Sequence, residues 1–193
     1  YGQARAMLAG DAMQALAFEV LTPEDESVLP AALQARLCRQ LSRAAGVLGM
    51  AGGQAIDLAS IGLPLTEGQL QDMHRRKTGA LLQAAVEMGA ACGSPAPRTA
   101  AALADYGAAI GLAFQVVDDI LDVTQASATL GKTAGKDAEQ DKPTYVSLLG
   151  LDGARARARQ LHERAHAALT DADLLDGGVW LARLADRIVD RDS

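Results

Sequence analysis

From Leu33 onward the apolar residues of this chain return every third or fourth position: Leu33, Leu37, Leu41, Ala44 and Leu48, then Leu70, Met73, Leu81, Ala84 and Met88. A helix gathers positions three and four apart onto one face, whereas a half-buried strand needs strict alternation. Runs of valine, isoleucine and threonine that could supply such alternation are absent. The spacing therefore predicts an all-α chain. Its 193 residues suffice for one domain with a sizeable core, and a single-domain helical array over 1–193 is expected.

Helices are predicted over 1–21, over about 31–57 behind Pro30, and behind Thr66, where Thr66-x-x-Gln69 has capping-box spacing. Gly46, Gly49 and Gly53 suggest the close approach of another helix. A long helix is expected over about 99–123, and a polar loop over about 124–142. Pro143 then starts another helix, and two further helical segments carry the chain to its end. On the stripe Leu70, Met73, Leu81, Ala84 and Met88, Lys77 falls at the centre, where an unpaired ammonium is rarely buried.

The net charge of −6 argues against a nucleic-acid partner. No uncharged run approaches the ~18–20 residues of a membrane span, so none is expected. Cys38 and Cys92 form no C-x-x-C pair, which suggests core cysteines in a reducing, cytoplasmic compartment. No secretory leader is evident, and Tyr1 reads as the continuation of a longer chain.

Chemistry concentrates in Phe114-Gln115-Val116-Val117-Asp118-Asp119-Ile120-Leu121-Asp122. On a helix Asp118 and Asp122 stack on one stripe with Gln115 and Gly111, beside an apolar stripe of Ile110, Phe114, Val117 and Leu121. Stacked acids repel, and a hard cation with oxygen ligands relieves that repulsion. A solvated acidic patch is the plainer alternative. Lys132, Lys136 and Lys142 follow in the next loop. Acids that hold magnesium, with lysines nearby, make a diphosphate site, and an apolar wall of Phe114, Val117 and Met88 suits a hydrocarbon tail.

Two other motifs are set aside. His162-Glu163-Arg164-Ala165-His166 has the H-E-x-x-H spacing of a zinc peptidase. Arg155, Arg157, Arg159 and Arg164 on the same helix suit a dication poorly, so a solvated arginine-rich face is expected there instead. Gly131-Lys132-Thr133 lacks the upstream glycine of a P-loop, since Ala126 stands in its place.

Taken in order, the chain resembles the trans-isoprenyl diphosphate synthases, above all the bacterial farnesyl diphosphate synthase type. The resemblance rests on Leu8-Ala9-Gly10-Asp11-Ala12, on Gly52-Gly53-Gln54-Ala55-Ile56-Asp57-Leu58 and on His74-Arg75-Arg76-Lys77-Thr78-Gly79-Ala80. It continues through 111–122, Thr129-Leu130-Gly131-Lys132-Thr133 and Lys142-Pro143-Thr144-Tyr145. It implies an isoprenoid-synthase fold without its N-terminal part, and condensation of isopentenyl diphosphate with an allylic diphosphate, geranyl or dimethylallyl. Asp118, Asp119 and Asp122 would be the second aspartate-rich motif, holding Mg2+. Lys77, Lys132 and Lys142 would grip the diphosphate, Thr78 and Gln115 would face the allylic carbon, and Asp137 would support the network. A homodimer built on residues 1–21 and 31–58 is implied as well. The first aspartate-rich motif of that family and its isopentenyl diphosphate loop are not among these residues, so the chain is expected to carry one metal-diphosphate half-site. A non-catalytic helical dimer and a terpene cyclase stay open as alternatives.

Overall fold

A computed structural model describes residues 2–25, 27–128, 143–174 and 178–191. Eight α-helices lie among them: α1 Gln3–Leu21, α2 Ala31–Ala45, α3 Met50–Ala59, α4 Glu67–His74, α5 Ala80–Cys92, α6 Pro97–Ala128, α7 Tyr145–Asp171 and α8 Gly178–Val189. A π-helical turn, Arg75–Gly79, joins α4 to α5. The described residues include no strand. The all-α expectation therefore holds.

The chain divides into two compact units, residues 1–42 and 43–193. In the first, α1 has no buried residue. The turn before α2 is closed by the Gln34 amide, which donates to the carbonyls of Pro23 (3.0 Å) and Leu29 (2.8 Å).

The second unit is organised around α6, which packs against α5, the π-turn, α7 and α8. Leu70, Met73, Tyr106, Ile110, Val116, Val117, Tyr145 and Leu161 form its core. By length and composition Pro97–Thr124 could cross a membrane, but 67% of its most apolar stretch is buried inside the protein. A core helix surrounded by neighbours has the same composition as a span. Cys92 is exposed and Cys38 half-buried, both free, so neither is the core cysteine expected.

Local chemistry sets the helix ends. The Thr66 hydroxyl accepts from the Gln69 amide and the Gln69 side chain accepts from the Thr66 N–H, the expected capping box. Thr144 and Ser147 form a second one ahead of Tyr145. Within α7 the helix breaks at Gly150, whose φ of 70° is open to glycine and strained for other residues.

The expected helix over 31–57 is in fact two. The chain turns at 46–49, and a Cβ on Gly49 would run into the Ala44 carbonyl. Gly49 thus serves a turn. Gly53 meets the expectation of close approach, because its Cα faces the backbone of Arg76 and Lys77 with no room for a methyl. Gly111 also lies close, on the other side of the turn, where an added Cβ would sit 2.8 Å from Gly79 Cα. The π-turn is therefore clamped between α3 and α6 by two glycines.

Candidate functional site

Gln115, Asp118, Asp119 and Asp122 lie on consecutive turns of α6, but their surroundings divide them. Asp118 is exposed and Asp122 half-exposed. Asp119 is buried, and its Oδ2 accepts from the Tyr145 backbone N–H at 2.7 Å. That N–H belongs to the first turn of α7, where a carboxylate satisfies an orphan donor and favours the helix dipole. The same oxygen lies 3.9 Å from His74 Nε2. Gln115 is buried too, with Oε1 3.0 Å from His74 Nδ1. The His74 ring stacks on Tyr145, centroids 5.7 Å apart. Asp119 and Gln115 thus join α4, α6 and α7, while Asp118 and Asp122 remain for solvent-side chemistry.

Those two acids offer hard oxygen donors one turn apart, and among the described residues neither is in an ion pair. That donor set fits a hard divalent ion that keeps water or phosphate in its other positions. Asp118, Asp119 and Asp122 do not converge on one point as a three-ligand cluster, because Asp119 is turned about 100° from Asp118 around the helix.

Lys77 and Thr78 sit on the π-turn. A π-turn inserts one residue into the helical register, so the stripe read from Leu70 to Met88 does not run straight through it. Lys77 is not the unpaired cation of the sequence reading. Its Nζ donates to Asp57 Oδ2 at 2.7 Å, with the lysine side chain 30% exposed and the aspartate 8%. The next turn back is anchored by Asp72. Burial raises its pKa, but hydrogen bonds from Arg75 and Arg76 outweigh this and hold it below the usual carboxylate range. Thr78 is half-buried. The Gly79 to Gly111 contact sets this turn against α6 one helical turn before Gln115.

Two parts of the expected apolar wall are committed elsewhere. Val117 is sealed in the core, and Phe114 carries the Arg191 guanidinium 4.1 Å above its ring. Lys132, Lys136, Asp137 and Lys142 lie outside the described residues. Three contributors escaped the sequence reading: His74 as the partner of Gln115, Asp57 as the partner of Lys77, and Arg191. A signal existed for the second, since a lysine expected on a buried face calls for a buried acid. His162 and His166 do not lie on a solvated arginine face. They are half-buried and turned toward Asp186 of α8.

The family model described as polyprenyl synthetase matches residues 1–175. The farnesyl diphosphate synthase of Escherichia coli is 44% identical over all of this chain and 65% of its own length. Among solved structures, an FPP/GFPP synthase from Zymomonas mobilis superposes with a TM-score of 0.81 at 36% identity, covering 96% of this chain and 61% of that one. The geranyltransferase of Helicobacter pylori, complexed with magnesium and isoprenyl diphosphate, gives 0.79 at 31%, over 99% and 61%. The chain thus spans a little under two thirds of these relatives. The shared helical framework and the family match along most of its length make this chain a member of the polyprenyl synthetase family.

Proposed function

We propose that this chain belongs to a short-chain prenyltransferase that joins isopentenyl diphosphate to an allylic diphosphate, geranyl or dimethylallyl, and that it supplies the metal-diphosphate half-site of α6. One observation carries the reading. The glycine contact between Gly79 and Gly111 sets the turn bearing Lys77 and Thr78 beside the helix bearing Gln115, Asp118 and Asp122. A cation, a hydroxyl, an amide and two carboxylates on adjoining elements suit a diphosphate held through a divalent ion.

In this reading Asp118 and Asp122 hold magnesium, with Asp119 bracing α6 behind them. When bound, magnesium neutralises charge on the diphosphate oxygens and so eases their departure. Lys77, oriented by Asp57, takes up further charge together with Lys132 and Lys142, and Asp137 supports that group. As the allylic C–O bond breaks, its electron pair leaves with the diphosphate. Thr78 and Gln115, the latter held by His74, face the carbon where positive charge grows. The double bond of isopentenyl diphosphate supplies the pair for the new C–C bond, and a proton is then lost to the departed diphosphate. The same reading makes the protein a cytoplasmic homodimer, with its free cysteines reduced.

Titration calorimetry with inorganic pyrophosphate and magnesium tests the half-site. Binding is expected in the wild type and lost in Asp118→Asn and Asp122→Asn, while Asp119→Asn costs stability first. Unchanged affinity in Asp118→Asn would remove the metal assignment. The exposed apolar side chains of α1 favour a second reading, a helical dimer without catalysis. It requires pyrophosphate binding to be absent in the wild type. Turnover of geranyl and isopentenyl diphosphates by these 193 residues is expected far below that of the E. coli synthase, since a single D-D-x-x-D string is present.

A further inference from the structure

On the side of the molecule where α7 packs against α8, His162 and His166 stand one turn apart on α7. Both Nε2 atoms lie 2.7 Å from Asp186 Oδ1 on α8 and 3.1 Å from each other. Among the described residues this is the one group of three histidine, cysteine or acidic side chains whose donor atoms converge. We propose that His162, His166 and Asp186 form a binding site for a divalent transition-metal ion, zinc being the type, with solvent completing its coordination.

The donor chemistry argues for this. Two imidazoles and one carboxylate are borderline ligands that suit zinc, cobalt or nickel far better than magnesium or calcium. A tetrahedral ion with bonds of about 2.1 Å sets its ligand atoms roughly 3.4 Å apart. The trio needs to open by about 0.3 Å between the imidazoles and about 0.7 Å from each to the carboxylate, which half-exposed side-chain tips can do by small rotations. Its backbone frame is firm. Leu161 and Ala165 are buried in α7, and Ala185 and Ile188 on either side of Asp186 are buried in α8. The Tyr106 hydroxyl also ties α8 to α6 by donating to the Leu181 carbonyl at 2.7 Å.

Electrostatics agree. Asp186 sets a carboxylate oxygen between the two imidazoles. Three of the four arginines that made the sequence look hostile to a dication pair elsewhere. Arg155 pairs with Asp152, Arg157 with Glu67, and Arg164 with Asp105. Room for water or a small ligand exists beside His166, where an open cavity of about 300 Å³ is lined by Leu169, Thr170, Val179 and Ala182.

The test uses untagged, chelator-stripped protein. Calorimetry with zinc chloride and the visible spectrum with cobalt are measured for the wild type, His166→Gln, Asp186→Asn and the double variant His162→Gln/His166→Gln. One equivalent of zinc should bind and raise the melting temperature. Each single variant should weaken binding by at least about tenfold, as loss of a metal's supporting groups does. The double variant should abolish the cobalt ligand-field bands. Melting without metal reports whether each variant folds. Zinc that still binds the double variant with wild-type affinity, or fails to bind folded wild type, overturns the proposal. Zinc whose affinity falls in Asp118→Asn and not in the double variant would place the ion on α6 and overturn it as well.

Discussion

Asp57 is buried, and Lys77 is its partner. Removing the lysine strands a carboxylate out of water, whereas removing the acid leaves an ammonium that still reaches solvent. Lys77→Met should therefore destabilise the fold by about 2 kcal/mol and Asp57→Asn by about 1 kcal/mol, below the cost for a fully buried pair. The double variant should cost less than the sum. Urea denaturation of the three variants measures this, and a stabilised Lys77→Met would mean that the pair is strained. Tyr106 supports a second prediction. Burial, helped by the charge of Asp186, pushes its hydroxyl up to about 12, and burial does the same at Tyr145. An unfolded tyrosine ionises near 10. The stability these groups contribute is thus fully present below pH ~10 and is lost as pH rises toward ~12. Tyr106→Phe, which also loses the bond to Leu181, should cost about 1 kcal/mol at neutral pH and flatten the alkaline decline. Melting curves between neutral pH and the alkaline limit of refolding would show both.

At the scale of elements, the π-turn stays where it is because two helices reach it without side chains between. A methyl at Gly111 would stand 2.8 Å from Gly79 Cα, and one at Gly53 would meet the Lys77 backbone. Backbone cannot rotate aside as a side-chain tip can. Gly111→Ala and Gly53→Ala should each destabilise by about 1–3 kcal/mol, overpacking outweighing the gain in helix propensity. Gly89, also helical, has nothing within 4 Å of an added Cβ. Gly89→Ala should stabilise by up to about 1 kcal/mol. Thermal melts of the three variants make the comparison. If all three stabilise, the close approaches are not real constraints. The first two should also weaken pyrophosphate binding, because they shift Lys77 and Thr78 relative to Asp118.

For the whole molecule the outstanding surface is on α1. Met13, Leu16 and Val20 share one face of it and are exposed, each by at least 52%, and exposed apolar surface drives association. Sedimentation at micromolar concentration is expected to show a dimer or larger species. Met13→Glu with Leu16→Glu, one turn apart, should shift it toward monomer without loss of helicity. A monomeric wild type would contradict the proposed homodimer.

How much of this was legible in advance follows from the range of the forces involved. Helical periodicity, caps such as Thr66-x-x-Gln69, and the shared stripe of Asp118 and Asp122 depend on residues within a turn or two. The sequence alone determined these, along with the order of motifs that placed the chain in its family. What it could not show is which distant residues meet. Lys77 looked unpaired because Asp57 lies twenty positions away on α3, with α4 between them in the chain. Asp119 looked equivalent to its neighbours until α7 presented the Tyr145 N–H to it. His162 and His166 looked like part of a solvated face until α8 brought Asp186 between them. At Asp57 and Asp119 burial leaves a polar group without water, and only the packing of helices decides which partner takes its place.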